Sequence, residues 1–302
     1  MMSTVPTVSV TFVRHGESLD NLRSVWAGWK DAPLSNHGMN QARAAGESLA
    51  SVRFEAIYAS PLLRAFTTAQ AIHDSQAEPK PPLTPSPLLR EQHWGEAEGQ
   101  SWILAQKPGL SLEEHFAQKI YPVLHERWQK FPGGESLEDV VVRAEQAIND
   151  FVMPHVWKAA REGRKNVHIA IVSHGICISE LIPVLVLKDE SGQHPGHKYR
   201  GLRNTAWTRV TVDVKNSKEG EPMEFSNDDL PPLKVAVTEF DRGKHLDKVK
   251  RQKGGIGSAA YDPKQKDIRA FFGGGGALPE GRSESNAQDE VDVEINESDS
   301  RL

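Results

Sequence analysis

Two short β-branched runs, Val8-Ser-Val-Thr-Phe-Val13 and Val167-His-Ile-Ala-Ile-Val172, each stop just before a histidine followed by glycine, His15-Gly16 in the first case and His174-Gly175 in the second. Six residues are too few for a helix core, and such continuously apolar runs fit strands buried on both faces, the pattern of a parallel sheet covered by helices. Helical signals fill the space between them. Ser35 is a good N-cap for a helix carrying Met39, Ala42, Ala45 and Leu49 on one side, and Phe54 to Ala59 reads as the next strand. Ser60-Pro61 supplies an N-cap and first-turn proline for a second helix, with Arg64 in or just past its opening turn.

Residues 78–88 are proline-rich and read as extended, and the capping-box pair Ser136 and Asp139 opens a helix that Pro154 should end or kink. An apolar helical run from Ile176 to Leu187 follows the second histidine. Two further strands, Ala206 to Val214 and Leu233 to Phe240, flank an acidic loop. The alternation predicts an α/β fold over residues 7–242, a three-layer α/β/α sandwich with a mostly parallel central sheet. In such sheets ligands bind beyond the carboxyl ends of the strands, where His15, Arg64 and His174 all fall.

A hydrophobic content of 38% over 302 residues is enough for a packed core. After Arg242 glycine, serine and charge dominate, with four glycines at 273–276, so residues 243–302 read as a largely disordered tail. The net charge of -5 argues against direct nucleic-acid binding. One cysteine, Cys177, leaves no disulfide framework and no multi-thiolate metal site, and fits a cytoplasmic or nuclear setting. Neither a signal peptide nor an 18-residue apolar span is expected, so no membrane partner is either.

The predicted sheet edge gathers two histidines, the arginines Arg14 and Arg64, a helix amino terminus and the carboxylate of Glu91. That is an anion pocket with a nucleophile. Guanidinium forks and helix N–H groups match a phosphate monoester dianion. Neighbouring cations disfavour imidazolium, so a histidine there stays neutral and can attack phosphorus. Glu91 can exchange protons with the leaving alkoxide and with water, provided that its pKa is raised.

Val13-Arg14-His15-Gly16-Glu17-Ser18 with Asn21, Ser60-Pro61-Leu62-Leu63-Arg64-Ala65, Leu89-Arg90-Glu91 with Trp94-Gly95-Glu96-Ala97-Glu98-Gly99, and Ser173-His174-Gly175 together resemble the signature of the histidine phosphatase (phosphoglycerate mutase-like) superfamily, over residues 7–212. The resemblance implies that His15 is the phosphorylated nucleophile, that Arg14, Arg64 and His174 complete the phosphate pocket, that Glu91 is the proton donor, and that Asn21 is a secondary pocket residue. It implies neither a metal nor an organic cofactor. Asn21 also has a turn explanation, Glu17, Glu135 and Ser136 have capping or supporting explanations, and Trp26, Trp29, Trp94 and Trp102 suit core or pocket wall as well as substrate stacking.

Within the superfamily, Ser24 to Leu34 resembles the cofactor-dependent phosphoglycerate mutases, whereas Gln92 and Trp94 stand where those enzymes typically carry Arg and Tyr. No clear counterpart of the mutases' paired carboxylate-binding arginines lies between residues 100 and 130. Pro132-Gly-Gly-Glu-Ser136 and Asn204-Thr205-Ala206-Trp207 resemble the phosphatase side. The expectation is a phosphomonoester hydrolase acting on a small phosphorylated substrate, with a phosphoglycerate mutase as the alternative. A second alternative is a nuclear interaction protein with a catalytically quiet domain. It draws on the tail, where Gln265, Ile268, Phe271 and Phe272 match the peptide box that binds the sliding clamp, proliferating cell nuclear antigen, by one helical turn seated in an apolar groove. The basic stretch Lys244 to Lys253 before it suits nuclear import or an acidic partner.

Overall fold

The computed structural model describes residues 5–103, 106–196 and 198–264. The strands are β1 (Val8–Arg14), β2 (Phe54–Ala59), β3 (Leu83–Pro85), β4 (Val167–Ser173), β5 (Trp207–Val214) and β6 (Leu233–Arg242). The helices are α1 (Asn36–Leu49), α2 (Leu63–Asp74), α3 (Leu112–Ala117), α4 (Leu137–Phe151), α5 (Met153–Arg161) and α6 (Gly175–Val186). The sheet runs β3-β2-β4-β1-β5-β6, parallel from β3 through β1 and antiparallel at β5 and β6. This is the mixed, mostly parallel α/β architecture that the strand and helix alternation predicts.

The two-residue period of each strand sends its side chains to two separate cores. Val8, Val10 and Phe12 of β1, with Ile169 and Ile171 of β4, pack against Ala144 and Ile148 of α4, Val156 of α5 and Ile178, Leu181 and Leu185 of α6. Val13, Ala170 and Val172 face the other way, with Leu49 of α1 and Ala69 and Ile72 of α2. Each large side chain so buried contributes roughly 1.5–3 kcal/mol, which is why the central strands carry almost no charge. Among the described residues no helix is long and apolar enough to cross a membrane.

Three local expectations change. The helix after β2 begins at Leu63 with Leu62 as its N-cap residue, not Ser60. The Ser60 amide still donates to Val172 O (2.9 Å), continuing the sheet ladder, and its hydroxyl is therefore placed at the sheet edge. Pro154 does not end a helix so much as start one: α4 stops at Phe151, and Pro154 sits in the first turn of α5, where its missing N–H costs nothing. The tail expected from residue 243 is ordered as far as residue 264. Lys244–Lys248 and Ile256–Ser258 form 3-10 turns, and Ala260 bridges Ser35 in antiparallel fashion. Asn36 N donates to Ala259 O (2.9 Å), Tyr261 N donates to Leu34 O (2.9 Å), and the Arg43 guanidinium lies over the Tyr261 ring. Specific backbone and cation–π contacts to α1 hold a segment whose composition alone offers little to bury. The box residues Gln265, Ile268, Phe271 and Phe272 lie outside the described residues.

Candidate active site

The parallel register pairs Arg14 with Ser173 and Ala59 with Val172. The next residues of the three strands, His15, His174 and Ser60, consequently emerge side by side at one sheet edge. His15 and His174 are buried with ring centroids 5.0 Å apart. An ideal Cβ on Gly175 would lie 3.7 Å from Arg14 Nε and 4.0 Å from Glu91 Oε2. A glycine here leaves the space between those two charged groups open. Gly16 is the sterically constrained one of the pair, since a Cβ on it would sit 2.4 Å from Gly38 O, where α1 presses against the His15 loop.

His15 Nδ1 is 2.6 Å from Gly16 O. A carbonyl can only accept, so Nδ1 carries the proton and Nε2 is left with its lone pair. Burial above all, then the Arg64 and Arg14 guanidinium charges, hold His15 well below the usual imidazole range, against a smaller opposing effect of the Gly16 carbonyl. The same causes act on His174, burial first, followed by Arg64, His15, Arg14 and Arg143. His174 Nε2 lies 2.8 Å from Ser60 Oγ, which anchors one side of its ring, and its buried Nδ1 has no hydrogen-bond partner among the described residues.

Arg64 is 1% exposed, with Nη2 donating to Gly28 O (2.7 Å) and Nη1 to Lys30 O (3.1 Å). Arg14 Nη1 donates to Leu202 O at 2.5 Å. Glu91 spans the amino end of α6: Oε1 accepts from Cys177 N (3.0 Å) and Gln92 N (3.0 Å), and Oε2 from Ile176 N (3.2 Å). Its own carbonyl is held by Trp29 Nε1 (2.7 Å) and Arg143 Nη2 (3.0 Å). The arrangement brings Arg14, His15, Arg64, Glu91 and His174 together, as the sequence predicts.

Asn21 is not brought in. It is exposed, and its Oδ1 closes a local turn by accepting from Ser18 N (3.0 Å) and Ser18 Oγ (3.1 Å). The turn explanation accounts for it because an Asn side chain three residues on reaches its own loop more readily than the pocket. The residue that does reach is Asn204, whose Nδ2 donates to His15 O at 3.0 Å. Ser60 and Asn204 could have been found by noticing that each follows or precedes a strand end next to a candidate histidine. Trp26 packs edge-on and Trp94 at a tilt against Phe131 in a small aromatic core, and the Trp26 ring nitrogen donates to Tyr121 O, so they serve packing. Glu135 grips Arg143 through two contacts (2.8 and 3.0 Å), and Arg143 in turn fixes the carbonyls of Leu88 and Arg90.

The sequence matches the model of the histidine phosphatase superfamily (branch 1) over residues 10–218. The chain belongs to the histidine phosphatase superfamily. Curated relatives include 2,3-bisphosphoglycerate-dependent phosphoglycerate mutases from Bartonella bacilliformis, 30% identical over 179 residues (59% of this chain, 81% of that protein), and Gloeobacter violaceus, 30% identical over 174 residues (57% and 73%). Among solved structures, the mycobacterial glucosyl-3-phosphoglycerate phosphatase in complex with VO3 shares the fold with a TM-score of 0.56 and 23% identity, covering 77% of this chain and 98% of that one. A Bacillus anthracis phosphoglycerate mutase does so with a TM-score of 0.55 and 20% identity, covering 80% and 96%.

The depressed imidazoles make stability pH-dependent in a defined direction. An unfolded histidine takes up its proton near pH 6.5, whereas His15 and His174 in the folded superfamily domain refuse it until well below that value. Stability is thus intact above pH 6.5 and is lost as pH falls from there toward the folded pKa values, with a slope of up to about 2.7 kcal/mol per pH unit for the two groups. Urea unfolding of wild type and of His15→Asn/His174→Asn between pH 7 and 5 should show the shallower acid loss in the variant; equal slopes would contradict the assignment of both rings as neutral.

Proposed function

We propose that this superfamily member is a phosphomonoester hydrolase working through a phosphohistidine on His15. The neutral Nε2 attacks phosphorus in line with the leaving oxygen, the P–O bond breaks, and Glu91 delivers a proton to the departing alkoxide. Water then attacks the phosphohistidine, Glu91 takes its proton, and the N–P bond electrons return to Nε2. Arg14, Arg64 and His174 hold the non-bridging oxygens throughout, which is where preorganised charge has its largest effect. A catalytically quiet domain would have no need to keep two neutral histidines buried against two guanidinium groups.

The observation that favours hydrolysis over mutase chemistry is the state of Arg127, the one arginine between residues 100 and 130. Its Nη1 and Nη2 are committed to Glu180 Oε1 (3.2 Å) and Oε2 (2.8 Å), and Arg200 approaches the same carboxylate at 3.9 Å. Gln92, at the place where mutases typically carry arginine, is neutral, buried and bonded to Glu135 O (2.7 Å). A bisphosphoglycerate intermediate needs a second anchor to be retained while it turns, and here these cations are absent or already paired. The mutase relatives at 30% identity make the comparison a necessary one. Given 3-phosphoglycerate and a bisphosphoglycerate primer, the protein is expected to release inorganic phosphate faster than it forms 2-phosphoglycerate; rapid formation of 2-phosphoglycerate would reverse the assignment. Recruitment by a sliding clamp through Gln265, Ile268, Phe271 and Phe272 rests on the sequence pattern and is independent of this reading.

A further inference from the structure

The segment after β6 lies beyond the family match, which ends at residue 218, yet it touches the His15 loop from two sides. On one side, Arg251 Nη1 donates to Glu17 Oε1 at 3.0 Å and its Nη2 contacts Glu17 Oε2. Glu17 Oε1 also accepts from Ser35 Oγ (2.7 Å), and the Glu17 amide donates to Gln41 Oε1 (2.9 Å). The Gly16–Glu17 peptide carries the carbonyl that fixes the His15 tautomer, so whatever pins Glu17 orients that carbonyl. Within the basic stretch at 244–253, Arg251 thus has a carboxylate partner in the same chain.

On the other side, His245 Nε2 is 3.0 Å from Thr205 Oγ1. Thr205 is a buried β-branched residue at φ 57°, a left-handed conformation that costs of order 1–3 kcal/mol and persists only where its surroundings over-determine it. Its amide donates to Arg14 O (3.0 Å) and His15 O (3.3 Å). Thr205 therefore holds the backbone of the two residues at the centre of the site, and His245 helps to hold Thr205. Beyond Arg251, the bond from Asn36 Nδ2 to Ile256 O (2.9 Å) and the bridge from Ala260 to Ser35 lay the end of the segment along the amino end of α1.

We propose that residues 243–261 are a strap that positions the His15 loop, with His245 and Arg251 as positioning residues that keep the imidazole in one tautomer and one aim. The proposal rests on the reading of His15 as nucleophile for its kinetic consequence only. In the full-length protein, His245→Ala and Arg251→Ala are each expected to slow phosphoenzyme formation about tenfold, the scale on which small misplacement of a reacting group acts, while KM and the unfolding midpoint stay near wild type. His245→Gln and Arg251→Lys should recover most of the rate, because glutamine restores a hydrogen-bonding partner for Thr205 and lysine a cation for Glu17. Nitrogen-15 histidine spectra of the ligand-free protein should show His15 as a single Nδ1–H tautomer in wild type and as a mixture in the alanine variants.

Wild-type labelling rates in both alanine variants, or a loss that neither conservative variant recovers, would overturn the strap. If the wild-type chain itself forms no phosphoenzyme, the proposed hydrolase fails instead. The tautomer spectra then decide the strap alone: a mixture in the variants upholds it and an unchanged single tautomer rejects it.

Discussion

His15→Ala is expected to abolish acid-labile, alkali-stable phosphate labelling and to cut phosphomonoester hydrolysis by at least about ten-thousand-fold, the scale of losing a covalent nucleophile whose binding pocket survives. The size follows from what remains. Arg14, Arg64 and His174 would still bind the phosphate, but water would have to replace a preplaced nitrogen whose lone pair the Gly16 carbonyl has aimed and whose proton affinity burial and two guanidinium groups have suppressed. The fold should tolerate the change near pH 7, because His15 is neutral there in folded and unfolded chains alike. Retained labelling in the variant would move the nucleophile elsewhere, with His174 as the first place to look.

Arg64→Ala should lower kcat/KM on phosphomonoesters by roughly a hundred- to a thousand-fold, the range seen when one preorganised donor to developing negative charge is removed. Arg64 is 1% exposed and spends two of its donors on the carbonyls of Gly28 and Lys30. Its loss therefore also leaves the buried Gly28 carbonyl unpaired, at roughly 1–3 kcal/mol, whereas the Lys30 carbonyl keeps its bond from Ala32 N (3.1 Å). Activity and stability must accordingly be measured together, by kinetics and by urea unfolding of the same preparations. Arg64→Lys separates the two effects: it keeps the charge but not the planar fork, so it should recover only part of the rate. The neighbouring imidazoles should titrate higher in Arg64→Ala, since Arg64 is a leading charge holding both down. A variant within fivefold of wild type would show that Arg64 braces the 28–30 loop and contributes little to the chemistry.

Much of this was present in the residue pattern because parallel strands announce themselves locally. A six-residue β-branched run ending at a histidine and glycine defines a strand, its carboxyl end and the residue presented there, and two such runs place His15 and His174 on one edge before any contact is known. Arg64 is found in the same way, from its place just after β2; Glu91 follows a stretch that reads only as extended, and its role comes from the resemblance of Leu89-Arg90-Glu91 to the superfamily. What needed the folded chain was every decision between partners of similar chemistry. Asn21 and Asn204 are both short amides near the His15 loop, and only tertiary distance selects Asn204. Ser60 looked like a helix cap until the sheet ladder carried it past the helix to His174. Residues 243–264 read as disordered because their order comes from backbone bonds, the cation–π contact of Tyr261 with Arg43, the His245–Thr205 hydrogen bond and the Arg251–Glu17 ion pair, none of which leaves a hydrophobic period in the sequence.

The sequence by itself determined the order of strands and helices and the residue types that stand at the sheet's reactive edge, because hydrophobic period and turn chemistry act over a few neighbouring residues. Tertiary structure alone decided which donor meets which acceptor: the Gly16 carbonyl on His15, the α6 amides on Glu91, Glu180 on Arg127, and the late segment on the His15 loop. Those pairings join residues up to 234 positions apart, and their strength depends on burial and on distances of a few tenths of an ångström, which only the packed chain sets.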